Sequence, residues 1–181
     1  LNSSTLDNDI DLLCEFNDRQ RIHKVFRDLR YKFYQDPADD NVYLYHAKPH
    51  DHFFDKKRDL HFDVVYNLSY RSLNMGEWVS VHEDIQKSIW NNKRKVTGFW
   101  HYEPSGLDEL IHLLCHSIFD KRDLNYKYSN KIGDLFLTVD HTTLRNMMEL
   151  IFFKYSDPLF HNLKNGNYDQ IVRNYFKFKD Y

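Results

Sequence analysis

Asp9-Ile10-Asp11-Leu12-Leu13-Cys14-Glu15-Phe16 is an apolar segment of strand length with acids at its first and third positions, and Asn17-Asp18 behind it is a helix N-cap signal. A strand running into a helix is what this stretch predicts. Ile22, Val25, Phe26 and Leu29 then recur at the i, i+3, i+4, i+7 spacing of one buried helical face. Arg19, Arg21, Lys24, Arg27 and Arg30 stay off that face and read as its solvated side.

Further along, Tyr31 and Phe33, then Tyr43 and Tyr45, alternate with polar or small neighbours, and the turn-rich stretch 35–41 between them predicts two strands joined by a loop. Leu60-His61-Phe62-Asp63-Val64-Val65-Tyr66 predicts another strand, with Leu60, Phe62 and Val64 on one face and His61, Asp63 and Val65 on the other. The charged run Asp55-Lys56-Lys57-Arg58-Asp59 before it reads as a hairpin tip.

After about residue 80 the pattern turns helical, starting near Glu83 with Ile85, Ile89 and Trp90 on the buried side. Ser105-Gly106-Leu107-Asp108 is a capping-box start for a helix carrying Leu107, Leu110, Ile111, Leu114 and Ile118 on one side. Asp140 is placed to cap a helix through Leu144, Met147, Met148, Ile151 and Phe152, and one or two shorter helices are expected to complete the chain. The fold class expected is therefore α+β: a small mixed sheet with flanking helices over residues 1–80, followed by a helical part over 81–181 packed on it.

Composition narrows the function classes. The 181 residues carry 27 acidic and 25 basic side chains, so a net charge of -2 offers no general field to duplex nucleic acid or an anionic membrane. Nucleic acid is not the expected partner, and no apolar run has the length of a membrane span. With 14 Phe, 13 Tyr and 3 Trp the chain is too aromatic for disorder. None of the five glycines falls in the first 75 residues, which removes G-x-G-x-x-G and G-x-x-x-x-G-K-[ST] phosphate loops from that part. Cys14 and Cys115 form no C-x-x-C, and a reducing cytoplasm is the expected setting. A chain opening on Leu1 rather than Met is expected to have been trimmed, with an upstream segment or domain before it.

Residues i and i+2 of a strand point to the same side about 6.5–7 Å apart, so Asp9 and Asp11 project together. Two carboxylates aimed at one region repel unless a cation or a proton lies between them, and hard Mg²⁺ takes such oxygens alongside water and phosphate. Asp63, an acid among Phe62, Val64 and Val65, is the third carboxylate that would complete a two-metal phosphoryl-type site. Taken without Asp63, the D-x-D triplet also reads as turn residues at a strand entry.

Lys48 and His50, in Tyr45-His46-Ala47-Lys48-Pro49-His50-Asp51-His52, are candidates for phosphate contact, and His50 with His52 for a transition metal. An exposed polar loop is the plainer reading of that segment. Arg58 with Lys56 and Lys57 could clamp a phosphate tail or simply solvate the hairpin tip. His112 and His116 have metal-ligand spacing on a helix, but Leu113 stands where H-E-x-x-H needs its glutamate, so a polar helix face is preferred. Cys14 and Cys115 read as buried thiols.

The run Thr5-Leu6-Asp7-Asn8-Asp9-Ile10-Asp11-Leu12-Leu13, the helix after it and the isolated acid in Leu60-His61-Phe62-Asp63-Val64 resemble the nucleotidyltransferase superfamily of the DNA polymerase β type, and within it an uncharacterised prokaryotic branch. Asp108-Glu109-Leu110-Ile111-His112-Leu113-Leu114-Cys115-His116 and Lys131-Ile132-Gly133-Asp134-Leu135 are similar to the helical part of that branch. The resemblance implies that Asp9 and Asp11 bind Mg²⁺ and a nucleoside triphosphate such as ATP, and that Asp63 binds a second Mg²⁺ or activates an acceptor hydroxyl on a small molecule, sugar or protein. The superfamily's Gly-Ser turn has no counterpart here: Ser3 and Ser4 lie too close to Asp9 and have no glycine, so the trimmed start is its expected place. LicD-like phosphocholine transferases, which share a D-x-D-I-D run, and a non-catalytic binding module of the same fold are the alternatives.

Overall fold

The computed structural model describes residues 9–34, 42–74 and 76–178, apart from the side chains of Asp9 and Tyr126. The predicted turn at 35–41 and the residues Ser3, Ser4, Asp7 and Asn8 lie outside the described residues. The fold is α+β. The chain divides into two compact units, Leu1–Ser80 and Val81–Tyr181.

In the first unit, β1 (Asp9–Leu13) leads through a single 3₁₀ turn at Phe16–Asp18 into α1 (Arg19–Asp28), followed by β2 (Lys32–Tyr34), β3 (Val42–Leu44), β4 (Asp51–Asp55), β5 (Leu60–Val65), β6 (Ser69–Arg71) and β7 (Glu77–Ser80). Four of these strands form a mixed sheet in the order β1-β5-β4-β2, with β1 parallel to β5 and the other pairs antiparallel. The hairpin tip between β4 and β5 falls where the charged run predicts it, and Asp55 Oδ1 accepts the backbone N–H of Lys57 at 2.9 Å. The two strands flanking 35–41 do not belong together. β2 pairs with β4, whereas β3 pairs with β7 in a second sheet of order β3-β7-β6. Strands of three or four residues are too short to show a period, which is why this second sheet escapes a reading by alternation.

α1 covers one face of the four-stranded sheet. Phe26 stacks on Phe53 at 4.2 Å between centroids, and Val64, Leu12, Ile22 and Phe62 close around them. Burial of the Phe53 side chain alone is worth roughly 1.5–3 kcal/mol. The stripe that meets the sheet is Arg19, Ile22, His23 and Phe26, rotated from the predicted one; Val25 and Leu29 are exposed. Arg19 is thus not on a solvated face. The reason lies in the sheet: Asp51 is 1% exposed, and Arg19 grips it through Nε at 2.8 Å and Nη2 at 2.7 Å. Tyr66 Oη donates to Asp51 Oδ2 at 2.6 Å, and His23 Nε2 lies 2.7 Å from the same oxygen.

Burial pushes the Asp51 carboxyl up, but the hydrogen bonds from Arg19, Tyr66 and His23 outweigh it and hold it below its ordinary range. Burial and the bond to Asp51 together push the Tyr66 phenol well up. α1 ends in a Schellman arrangement, with Arg30 N–H bonding Arg27 O and Tyr31 N–H bonding Phe26 O, both at 2.9 Å. Arg30 occupies the left-handed position at φ 66°, which glycine usually fills.

The second unit comprises α2 (Glu83–Asn92), the short strands β8 (Arg94–Lys95) and β9 (Tyr102–Glu103), α3 (Gly106–Cys115) running on into a π-helical turn at His116–Lys121, α4 (Tyr126–Thr138), α5 (His141–Phe152), α6 (Ser156–Lys164) and α7 (Tyr168–Lys177). Leu110, Leu114, Ile118, Leu144 and Met148 form its core, on the stripes that the periodicity predicts. The predicted caps are present: Ser105 Oγ accepts Asp108 N–H, and Asp140 Oδ2 accepts Thr143 N–H. Asp108 is itself buried and takes hydrogen bonds from Ser105 Oγ at 2.5 Å and Ser88 Oγ at 2.6 Å, tying α2 to α3. At Gly133 an added Cβ would lie 2.8 Å from the Tyr168 hydroxyl, so the glycine allows α7 its approach to α4. Burial pushes the Tyr155 phenol up to about 12, and its hydroxyl donates to Ile171 O at 2.8 Å. No helix among the described residues is long and apolar enough to cross a membrane.

Candidate functional site

Strand alternation decides which residues share the face of the four-stranded sheet turned away from α1. Leu12, Phe53, Phe62 and Val64 belong to the core beneath α1, so Asp11, His52, His61 and Asp63 project from the other side. The register aligns them. Asp11 lies opposite Asp63 on the parallel pair β1 and β5, Asp9 lies opposite His61 by backbone register, and His52 lies opposite Asp63 on the antiparallel pair β4 and β5. Neighbouring strands are about 4.8 Å apart, which brings the Asp11 and Asp63 carboxylates within mutual influence.

Asp63 is the centre of the arrangement. Its side chain is 27% exposed, yet Oδ1 is closed off from water and has no hydrogen-bond partner among the described residues. His52 Nδ1 stands 3.8 Å from that oxygen, in ion-pair range but beyond hydrogen-bonding distance. Burial pushes the Asp63 carboxyl above its ordinary range, the charge of Asp11 adds to the rise, and His50, His52 and His61 oppose it. A buried carboxylate oxygen without a donor, beside a second carboxylate, is the chemistry of a cation site or of a proton acceptor.

The imidazoles are positioned by the same framework. His52 Nδ1 and His61 Nε2 are 3.1 Å apart, so one nitrogen donates and the other accepts. His61 stacks on Phe54 at 4.2 Å. His52 belongs to β4 rather than to the loop expected before the hairpin. His50, one residue before that strand, packs its ring 4.4 Å from Trp78 of the second sheet. Asn67 pins the intervening segment: its Oδ1 accepts Lys48 N–H at 2.9 Å, and its Nδ2 donates to His46 O and Ser80 Oγ, each at 3.1 Å.

The other expected contacts are distributed differently. The Lys48 ammonium lies over the Phe16 ring at 4.9 Å. Arg58 stays at the hairpin tip, where Nη1 bonds Asp55 Oδ2 at 3.1 Å, and about 10 Å of β5 separates Leu60 from Asp63. The side chain of Asp9 lies outside the described residues. Among the described residues no group of three His, Cys, Asp or Glu side chains is arranged to hold a metal ion; Asp11 and Asp63 supply two carboxylates. In the second unit the His112 and His116 rings stack 5.8 Å apart, and His116 Nδ1 pairs with Asp120 Oδ2 at 3.2 Å. Burial pushes the Cys14 thiol up, and the fully buried Cys115 thiol further.

Alternation along Leu60-His61-Phe62-Asp63-Val64 is enough to separate the site face from the core face. Asp51, Tyr66 and Asn67, which hold the site's framework, carry no such signal: a buried Asp inside His50-Asp51-His52 reads as part of a polar loop until its partners are known. Comparison of the chain with protein-family models, with curated proteins and with solved structures finds no match.

Proposed function

We propose that the face of the four-stranded sheet turned away from α1 transfers a nucleoside monophosphate from a nucleoside triphosphate to a hydroxyl acceptor, with Asp9, Asp11 and Asp63 as the catalytic acids. The observation that supports this most is the in-register pair Asp11 and Asp63, with Asp63 Oδ1 buried and without a donor among the described residues. Such an oxygen fits a hard divalent cation, and the three acids are the residues that would hold Mg²⁺. When bound, Mg²⁺ supplies charge neutralisation for the triphosphate and the leaving pyrophosphate.

The chain's own residues do the remaining work. The acceptor oxygen bonds to the α-phosphorus as the bond to pyrophosphate breaks, and the acceptor proton passes to the Asp63 carboxylate. Asp11 shares the task of facing the phosphate oxygens. The Arg19–Asp51–Tyr66 network on the opposite face keeps β4 and β5 in register under α1, which holds Asp63 at a fixed place.

The test uses triphosphates labelled on the α-phosphate, with Mg²⁺ and a panel of sugar, small-molecule and protein acceptors. Label is expected to move to an acceptor with the wild-type chain and not with Asp63→Ala or Asp9→Ala. Transfer that persists in either folded variant removes the acids from the reaction. Metal-dependent triphosphate binding without turnover points instead to a binding module.

A further inference from the structure

The hairpin formed by β8 and β9 in the second unit has a composition that the sheet site does not explain. Lys93, Arg94 and Lys95 enter it, and Phe99, Trp100, His101 and Tyr102 leave it. Trp100 is 77% exposed, Phe99 60% and Tyr102 52%. A cluster of large rings left in water is the exception for a folded chain and marks a surface with a partner.

The two arms bring rings and cations together. Lys95 pairs with Tyr102 and Arg94 with Glu103 across the ladder. The Lys93 ammonium lies 4.5 Å from the centroid of Trp90 and 5.3 Å from that of Tyr102, so cation–π contacts fasten the base of the hairpin. At the tip, His101 meets Phe99 at 5.5 Å and Trp100 at 5.6 Å between centroids. Between residues 93 and 103 three cations face one acid, Glu103. No helical or strand period reveals this pairing, because the cations and the rings lie on opposite arms of a turn.

We propose that this hairpin is a binding surface for single-stranded nucleic acid. Exposed rings accept unpaired bases by stacking whatever the sequence, and cations beside them take the phosphates. Duplex DNA offers neither free base faces nor, at a net charge of -2, a field to attract it. A lipid surface would favour a tip of uninterrupted apolar residues, whereas His101 interrupts the rings and Glu103 stands opposite Arg94. The inference is independent of nucleotidyl transfer, since it uses no residue of the sheet site.

The experiment is fluorescence anisotropy of a labelled oligouridylate of about 12 nucleotides, a length within the range one small binding surface covers. The full chain is expected to bind at low salt and to lose affinity as salt rises. A Phe99→Ala, Trp100→Ala double variant is expected to bind at least about tenfold more weakly with unchanged circular dichroism. An Arg94→Gln, Lys95→Gln double variant should lower the slope of log affinity against log salt by about 1.4. Absence of wild-type binding, or equal binding by the ring variant, overturns the proposal. So does partition of the chain onto phosphatidylserine vesicles without oligonucleotide binding, which identifies a lipid surface instead.

Discussion

Replacing Asp63 by Asn is expected to make the chain more stable at pH 8 while removing the proposed nucleotidyl transfer. Asp11 and Asp63 face each other across neighbouring strands about 4.8 Å apart. Two full charges at that distance repel by about 3.5 kcal/mol at an effective dielectric of 20 and about 0.9 kcal/mol in bulk water. Asp11 is exposed and Asp63 half-buried, so a relief of about 1–2 kcal/mol is expected from neutralising one of them. No hydrogen bond to Asp63 Oδ1 from the described residues is lost in exchange.

The pH dependence has a definite sign. Because the folded Asp63 carboxyl lies above its ordinary range, its ionised form costs stability once pH passes through the folded value, and that cost is absent below about pH 4, the unfolded value. The advantage of Asp63→Asn should therefore be full at pH 8 and vanish towards pH 4. A divalent cation should do to the wild type what the substitution does: at ten times its dissociation constant Mg²⁺ adds about 1.4 kcal/mol to the wild type and much less to the variant. Urea unfolding at pH 4, 6 and 8, with and without Mg²⁺, reads all of this. A variant less stable than the wild type at pH 8 would refute the reasoning, since it would mean that Asp63 has a structural partner.

The framework makes its own predictions. Asp51→Ala leaves Arg19, His23 and Tyr66 without their shared acceptor and should cost about 3–5 kcal/mol in urea unfolding; a loss under 1 kcal/mol would show that the network is dispensable. Arg30→Gly relieves a left-handed arginine at the end of α1 and should stabilise by up to about 1 kcal/mol after the extra entropy of unfolded glycine is counted; a destabilised variant would assign Arg30 a contact that outweighs its backbone.

How much of this was legible in the sequence differs between residues for physical reasons. Leu12, Phe62 and Val64 alternate with acids or imidazoles because one sheet face meets α1 and the other does not, so period two carries the information. Ser105 and Asp140 cap because their oxygens reach a backbone N–H three residues on, a purely local geometry. Asp51 is different. Its burial depends on Arg19, 32 residues earlier, and on Tyr66, 15 later, and no local pattern reports such a meeting. The same meeting rotates α1, because a buried carboxylate in the sheet draws Arg19 and His23 inward and leaves Val25 and Leu29 outside. β3 and β7 pair across a separation that three- and four-residue strands cannot announce. The acids of the site were legible as residues, and the alignment of Asp11 with Asp63 required the parallel register.

Calorimetric titration with ATP and the other nucleoside triphosphates, in the presence and absence of Mg²⁺, tests the central claim most directly. Metal-dependent triphosphate binding is predicted for the wild type, with a loss of affinity on the order of a hundredfold in Asp63→Ala, equivalent to about 2.7 kcal/mol. No binding by the wild type, or equal binding by a folded Asp63→Ala chain, would contradict the account.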